Sequence, residues 1–305
     1  MPNAISNKEQ VAYIAESSWG TTPATPTGRI VRYNSLTDTA SYNTTKSAEI
    51  TNSREVADLI YTSAAGGLQI NSELSYDTQF EDWIAALLAS TWSTNVVKIG
   101  TTRTSFSFER AFPDITQYQK YLGAVPTKMS FGISTGNVIT CNTTFQSKFP
   151  TMSGTTVWSG TTAAGVNTVM TPLDSIQVMQ EGGAGSMSGV TDFSMELTNN
   201  VVSLDQLSSV DPADLALANF DAQGTFSLYF ADSTYYTKYA NRTATSLAFT
   251  LGGAAAKKYA FSFAKVKLTA LGIPNPGMNK PLVQKYSWVA YKDATDTTIK
   301  VTRTP

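Results

Sequence analysis

Four carboxylates lie close together in the sequence, Glu73, Asp77, Glu81 and Asp82. A pair of carboxylates on a β scaffold is the apparatus of glycoside hydrolysis, one acting as acid and the other as base or nucleophile. Their positions give them structural work instead. Asp77-Thr78 has the form of a helix N-cap, and Glu81 and Asp82 then fall in the first helical turn, where the helix dipole favours negative charge. The other polar clusters carry weaker signals. Asp205, Asp211, Asp214 and Asp221 lack the spacing and central glycine of a calcium loop and read as a solvated loop. Gly182, Gly183, Gly185 and Gly189 lack the register of a phosphate cradle and read as a flexible linker. Lys257, Lys258, Lys265 and Lys267 interleave with Tyr259, Phe261 and Phe263, as in a nucleic-acid stacking face. The same pattern suits a strand whose aromatics enter the core while its lysines face water or blunt an edge, and that is the preferred reading.

Two absences narrow the chemistry further. The 305 residues include no histidine, so imidazole-activated nucleophiles and imidazole metal sites are unavailable. Cys141 is the single cysteine, which removes intrachain disulfides and thiolate zinc clusters; it reads as a small apolar filler in a strand of a protein made in a reducing cytoplasm. No cofactor or metal is expected, and the chain reads as non-enzymatic. With 22 Lys+Arg against 23 Asp+Glu, the net charge of −1 lacks the basic excess of a sequence-reading DNA binder. The first residues do not resemble a secretory signal and no apolar run is long enough to span a membrane, so a soluble chain is expected.

The elements that would position these residues are mostly strands. Thr and Ser number 43 and 31, beside 14 Tyr and 14 Phe, a composition that suits pleated, half-buried surfaces. Leu68, Ile70, Leu74 and Tyr76 alternate with polar residues as a strand. Phe80, Trp83, Ile84 and Leu87 then follow at helical spacing and predict one short core helix laid on a sheet. Met129, Phe131 and Ile133 alternate again before Thr135-Gly136-Asn137, which reads as a hairpin turn. The organisation expected is an N-terminal arm over 1–28, a β domain over 29–151, a Gly/Thr/Ser-rich linker over 152–189 and a second β domain over 190–305. Asp77 precedes Phe106-Ser-Phe108 by 29 residues, and Asp232 precedes Phe261-Ser-Phe263 by the same interval. That equality suggests a duplication, although aligning the two Asp residues leaves the preceding strands one residue out of phase.

Trp19-Gly-Thr-Thr-Pro, Ser47-Ala-Glu-Ile50 with Arg54, the strand from Gly67 to Tyr76, the helix after it and Ser105-Phe-Ser-Phe-Glu109 together resemble the major tail tube proteins of long, non-contractile-tailed bacteriophages. The second half has no counterpart of the Glu-Ile-x-x-x-Arg segment. The resemblance implies duplicated β-sandwich or β-roll domains, each with one flanking helix, in a structural virion protein. Its partners would be its own copies, in a trimeric ring with pseudo-six-fold symmetry or a hexamer, stacked into a tube in the virion tail. Other tail proteins would meet the tube ends, DNA would pass without being held, and assembly would take place in the host cytoplasm. Trp19, Glu49, Ile50 and Arg54 are the residues the resemblance marks for contacts between subunits or rings, together with the arm and segment 46–66. A competing class is a carbohydrate-binding β-sandwich using Trp158 or Trp288 as a stacking platform; another virion component is a third.

Overall fold

The computed structural model describes residues 3–175, 179–182, 185–252 and 256–305. In chain order the first part contains β1 (Gln10–Ala15), β2 (Thr27–Ile30), β3 (Ser35–Asp38), β4 (Ser41–Lys46), β5 (Leu59–Glu73), α1 (Thr78–Leu87), β6 (Val96–Lys98), β7 (Phe106–Phe112), β8 (Gln117–Ser134) and β9 (Thr140–Ser147). Short pieces follow: β10 (Thr151–Ser153), β11 (Gly160–Thr162), α2 (Pro172–Ser175), β12 (Gln180–Glu181) and β13 (Gly185–Ser186). The remainder holds β14 (Val190–Leu204), β15 (Asp214–Tyr229), α3 (Thr234–Ala240), β16 (Thr245–Gly252), β17 (Lys258–Gly272), β18 (Val283–Ala290) and β19 (Lys300–Thr304). The protein is mainly β, as its composition predicts.

Eight strands form one antiparallel sheet in the order β3-β5-β9-β8-β14-β15-β18-β17. Period-two alternation gives this sheet two unlike faces. One is apolar and fully covered, with Leu68, Ile70, Phe145, Met129, Phe131, Phe193, Met195, Phe226, Tyr286 and Trp288 buried. The other is built of short polar side chains such as Asn71, Thr144, Ser130, Ser194 and Thr225, all partly exposed. β4 continues β3 along β5 in one unbroken register, from Ser35 opposite Asn71 to Asn43 opposite Ser63.

A second layer covers the apolar face. Over the first half it consists of β1, β2, β7 and the start of β8, which passes from one layer to the other at Gly123. Gly123 has φ of +67°, and a Cβ there would stand 2.7 Å from the Trp19 indole, so both backbone and space demand glycine. Tyr13, Trp83, Phe106, Phe108 and Phe145 pack edge-on or stacked between the layers, with centroids 4.9 to 6.4 Å apart. Asp77 caps α1 by accepting from Gln79 N at 3.4 Å, and the helix buries Phe80, Trp83, Ile84 and Leu87. Burying each such side chain stabilises the fold by about 1.5–3 kcal/mol. Over the second half the cover is β16, the start of β17, β19 and β6. Here Phe193, Phe249, Phe261, Phe263 and Trp288 form the aromatic core.

The pairing pattern occurs twice. β3/β4, β5, β9, β8, β7 and β10 pair among themselves as β14, β15, β18, β17, β16 and β19 do. Even the irregularities recur: the register shift between Phe106 and Phe108 returns between Thr245 and Leu247, and that between Pro126 and Lys128 returns between Leu268 and Ala270. The expected alignment of the two Phe-Ser-Phe segments is therefore corrected. Phe106-Ser-Phe108 lies in β7, whose counterpart is β16, whereas Phe261-Ser-Phe263 lies in β17, the counterpart of β8. The equal 29-residue intervals are a coincidence of spacing. Keeping strand phase, β5 and β15 correspond at an offset of 156 residues, and α1 and α3 begin 156 apart, which removes the one-residue slip.

Two further expectations change. Residues 1–28 are not wholly an arm, because Val11, Ala12 and Tyr13 are buried in β1, which pairs along its length with β7. Three of its six residues face inward or are covered from both sides, a pattern too short to distinguish from an amphipathic surface piece. The 152–189 segment is not a free linker either, since β10 pairs with β8, β11 pairs with β2, and Met170 exchanges backbone hydrogen bonds with Leu74 and Ile139. Of its glycines, Gly183 lies outside the described residues.

Candidate functional site

The four carboxylates are not assembled into one site. Asp77 caps α1, Glu73 accepts from Asn34 Nδ2 at 3.3 Å, and the neighbours Glu81 and Asp82 leave the helix in different directions. Asp82 accepts from the Tyr13 hydroxyl at 2.9 Å in the first half, and burial raises its carboxyl above the usual range. Glu81 turns to the second half, where it pairs with Arg303 and accepts from Tyr259 Oη at 3.4 Å. Around this pair the halves are joined. Arg303 lies over the Trp92 ring at 4.7 Å and bonds the backbone at Asn95, while β19 hydrogen-bonds to both β6 and β17. Lys98 pairs with Asp296 at 2.8 Å and Arg103 with Asp214 at 2.6 Å. Every first-half partner in this list except Glu81 comes from the stretch 88–105 between α1 and β7. Sequence reading missed this network, because nothing in local spacing links residue 81 to residue 303.

The polar face of the eight-stranded sheet runs across both halves of the chain. It holds the carboxylates Glu73, Asp192, Glu196 and Asp221 and the lysines Lys128, Lys267 and Lys285. Lys128 is held by Glu196 at 2.6 Å, and that hydrogen bond draws the Glu196 carboxyl below its usual range. A groove on this face near Thr39, Thr144, Gln146 and Asn200 is lined by these neutral polar groups together with Lys128 and the apolar Ala65, Phe145 and Val201. Charge on the face is therefore sparse and nearly balanced.

Two hairpins extend beyond this sheet at the same end. β5 and β15 run in the same direction, so β4-β5 outruns β9 where β14-β15 outruns β8. Their bases are tied together: Ala64 N donates to Val210 O at 3.0 Å and Gln146 Nε2 to Ser203 Oγ at 2.8 Å. The first hairpin exposes Tyr42, Val56, Leu59, Ile60 and Tyr61, and its loop carries Glu49, Arg54 and a fully exposed Ile50. The second exposes Val202, Leu204, Leu207 and Val210. At the opposite end Tyr229, Phe230, Ile273, Met278 and Leu282 are exposed. Contiguous apolar surface of this kind marks a protein contact. Trp19 is different, because its indole donates to Gly123 O at 3.0 Å and packs under Lys148 at 4.6 Å within its own chain.

The remaining candidates fall into the fold. Tyr259, Phe261 and Phe263 are buried, and Lys265 pairs with Asp293 at 2.8 Å. Asp211 accepts from Phe149 N, and Asp221 accepts from Asn200. Trp288 is fully buried and so offers no sugar platform, while Trp158 is half-buried with its indole packed against Gly28. Cys141 is buried and its thiol is pushed up to about 12. Among the described residues no cluster of acidic residues and Cys could hold a metal ion, and no helix is long and apolar enough to cross a membrane.

No curated protein sequence matches the chain. The family described as phage tail tube protein matches residues 6–290, which takes in both repeats of the strand pattern and the sheet they share. This mainly β chain, with its sparsely charged face and its two projecting hairpins, belongs to the phage tail tube protein family and is a structural protein of the virion tail.

Proposed function

We propose that three copies of this chain close head to tail into a ring, that rings stack into a tube, and that the polar face of the eight-stranded sheet lines the bore through which DNA leaves the virion. The observation that carries the reading is the repeat itself: two equivalent four-stranded units stand side by side in one sheet, in the same direction and with the same face outward. A head-to-tail arrangement repeated by rotation is what closes a ring. Three chains supply 24 strands, and at about 4.8 Å per strand the wall is ~115 Å around and ~37 Å across, wider if the strands tilt. That bore admits one double helix. Six such chains would double it and leave DNA unguided.

The nearly balanced charge of the face supports the same role, since a wall dense in lysine would hold phosphates by counterion release. The exposed apolar hairpins at one end and the apolar patch around Phe230 and Met278 at the other supply the surfaces for stacking. Cryo-electron microscopy of the purified, assembled protein tests the reading. Tubes with three-fold symmetry, six similar lobes per ring and the Asn71–Thr225 face inward are expected; monomers at high concentration, or true six-fold rings of whole chains, would refute it.

A further inference from the structure

Within the chain, the last strand of the first unit, β8, pairs with the first strand of the second, β14, from Lys128 opposite Thr198 to Ser134 opposite Asp192. The counterparts of these two strands end the sheet. β17 closes it on one side and β3/β4 on the other, and among the described residues neither outer edge is paired beyond Val266 or over 35–43. The matched registers and bulges fix the equivalence: residues of β8 correspond to β17 at +142, and β14 to β3/β4 at −157. We infer that the internal joint is the template for the joint between chains, with the 36–41 edge of one copy pairing antiparallel with 270–275 of the next, Ser41 opposite Ala270, Ala40 opposite Leu271 and Asp38 opposite Ile273.

The backbone is arranged for this pairing. Thr135 N donates to Thr191 O in the internal joint, so odd-numbered residues of β8 face it, and by the same parity their counterparts Leu271, Ile273 and Asn275 turn their N–H groups to the outer edge, which is unpaired there among the described residues. Pro274 and Pro276 fall on the alternate positions, which face the chain's own β18. They end pairing inside the chain without removing a donor from the edge. On the other edge Thr39 N donates inward to Gly67 O, leaving Leu36, Asp38 and Ala40 facing out. Ala40 N is covered by its own Asp38 carboxylate at 2.8 Å, a guard that the carbonyl of Leu271 replaces on pairing.

The inference rests on the ring reading, and its test separates the two. Ser41 and Ala270 are exposed, and opposed positions in a non-hydrogen-bonded pair lie within disulfide reach. In the full chain Ser41→Cys/Ala270→Cys should oxidise to a ladder ending at three times 32.8 kDa, with Cys141 buried and silent. Thr37→Cys/Ala270→Cys, four residues out of register, should stay monomeric on the same gel. Ile273→Pro, which removes an edge donor outside regular structure, should abolish assembly with an unchanged melting temperature. Assembly by sedimentation without the in-register cross-link, or equal cross-linking of both pairs, overturns the register while leaving the ring; failure of the unmodified chain to assemble overturns both.

Discussion

Tyr76 and Tyr259 lie face to face across the two halves, with ring centroids 5.0 Å apart and planes inclined by 17°. The stack sits beside the Glu81–Arg303 pair, and Tyr259 Oη also accepts from Asp77 N at 3.3 Å, so one aromatic residue of the second half seats the start of α1. Arg303→Ala should leave Glu81 with an unpaired, largely covered carboxylate and lower stability by roughly 2 kcal/mol. Urea unfolding of the purified variant measures this; a midpoint equal to that of the parent would show the pair to be idle.

The helix is a core element. Trp83→Ala or Leu87→Ala should each cost about 2–5 kcal/mol through the cavity left behind. Thermal melts that overlay the parent would contradict the packing of α1 between the two layers.

Removing residues 1–28 deletes β1 and exposes the edge of β7 together with Phe106 and Phe108. The truncated chain should be insoluble or lack cooperative unfolding by circular dichroism. A folded truncation that fails only in assembly would restore the whole segment to the role of an arm.

Asp82 gives the fold a pH dependence of known sign. Burial is the main cause of its raised carboxyl; the Tyr13 hydroxyl and Arg29 favour the charge, and Asp77 opposes it. A folded-state value above the unfolded one stabilises the protein below the unfolded value of 3.8, and that contribution is lost as pH rises through the raised value. Asp82→Asn keeps an acceptor for Tyr13 and should therefore melt higher than the parent at pH 7, with the difference shrinking toward pH 4. A gap that widens on acidification would reverse the assignment.

Replacing Glu73, Asp192, Glu196 and Asp221 by Lys turns the polar face basic. Assembled variant protein should retain duplex DNA in low salt and release it as salt rises, while the parent does not retain it. Equal retention by both would show that this face does not meet the nucleic acid.

The core strands, the hairpin turn at Gly136 and the capped helix were legible because each depends on residues within about ten positions. Leu68 and Ile70 announce β5 by period two, and Trp83 and Leu87 announce α1 by period 3.6. The repeat was legible only as an idea, since its evidence lies in pairing partners more than a hundred residues apart and the identities have diverged: Phe145 stands where Trp288 does, and Cys141 where Gln284 does. Val11-Ala-Tyr13 was misread for a related reason. Its burial is imposed by β7 on one side and β2 on the other, neither visible from the segment itself.

The stretch 88–105 has no equal in the second half, where only residues 241–244 separate α3 from β16. Its contacts with β19, Asp214 and Asp296 brace the joint within a chain on the side away from the polar face, and because the second half lacks such a stretch, the joint proposed between chains would have no such brace. The proposed ring of three chains would then carry three stiff seams alternating with three compliant ones. Under bending, strain would collect at the compliant seams, so the proposed tube would flex along chain boundaries while each chain kept its own curvature.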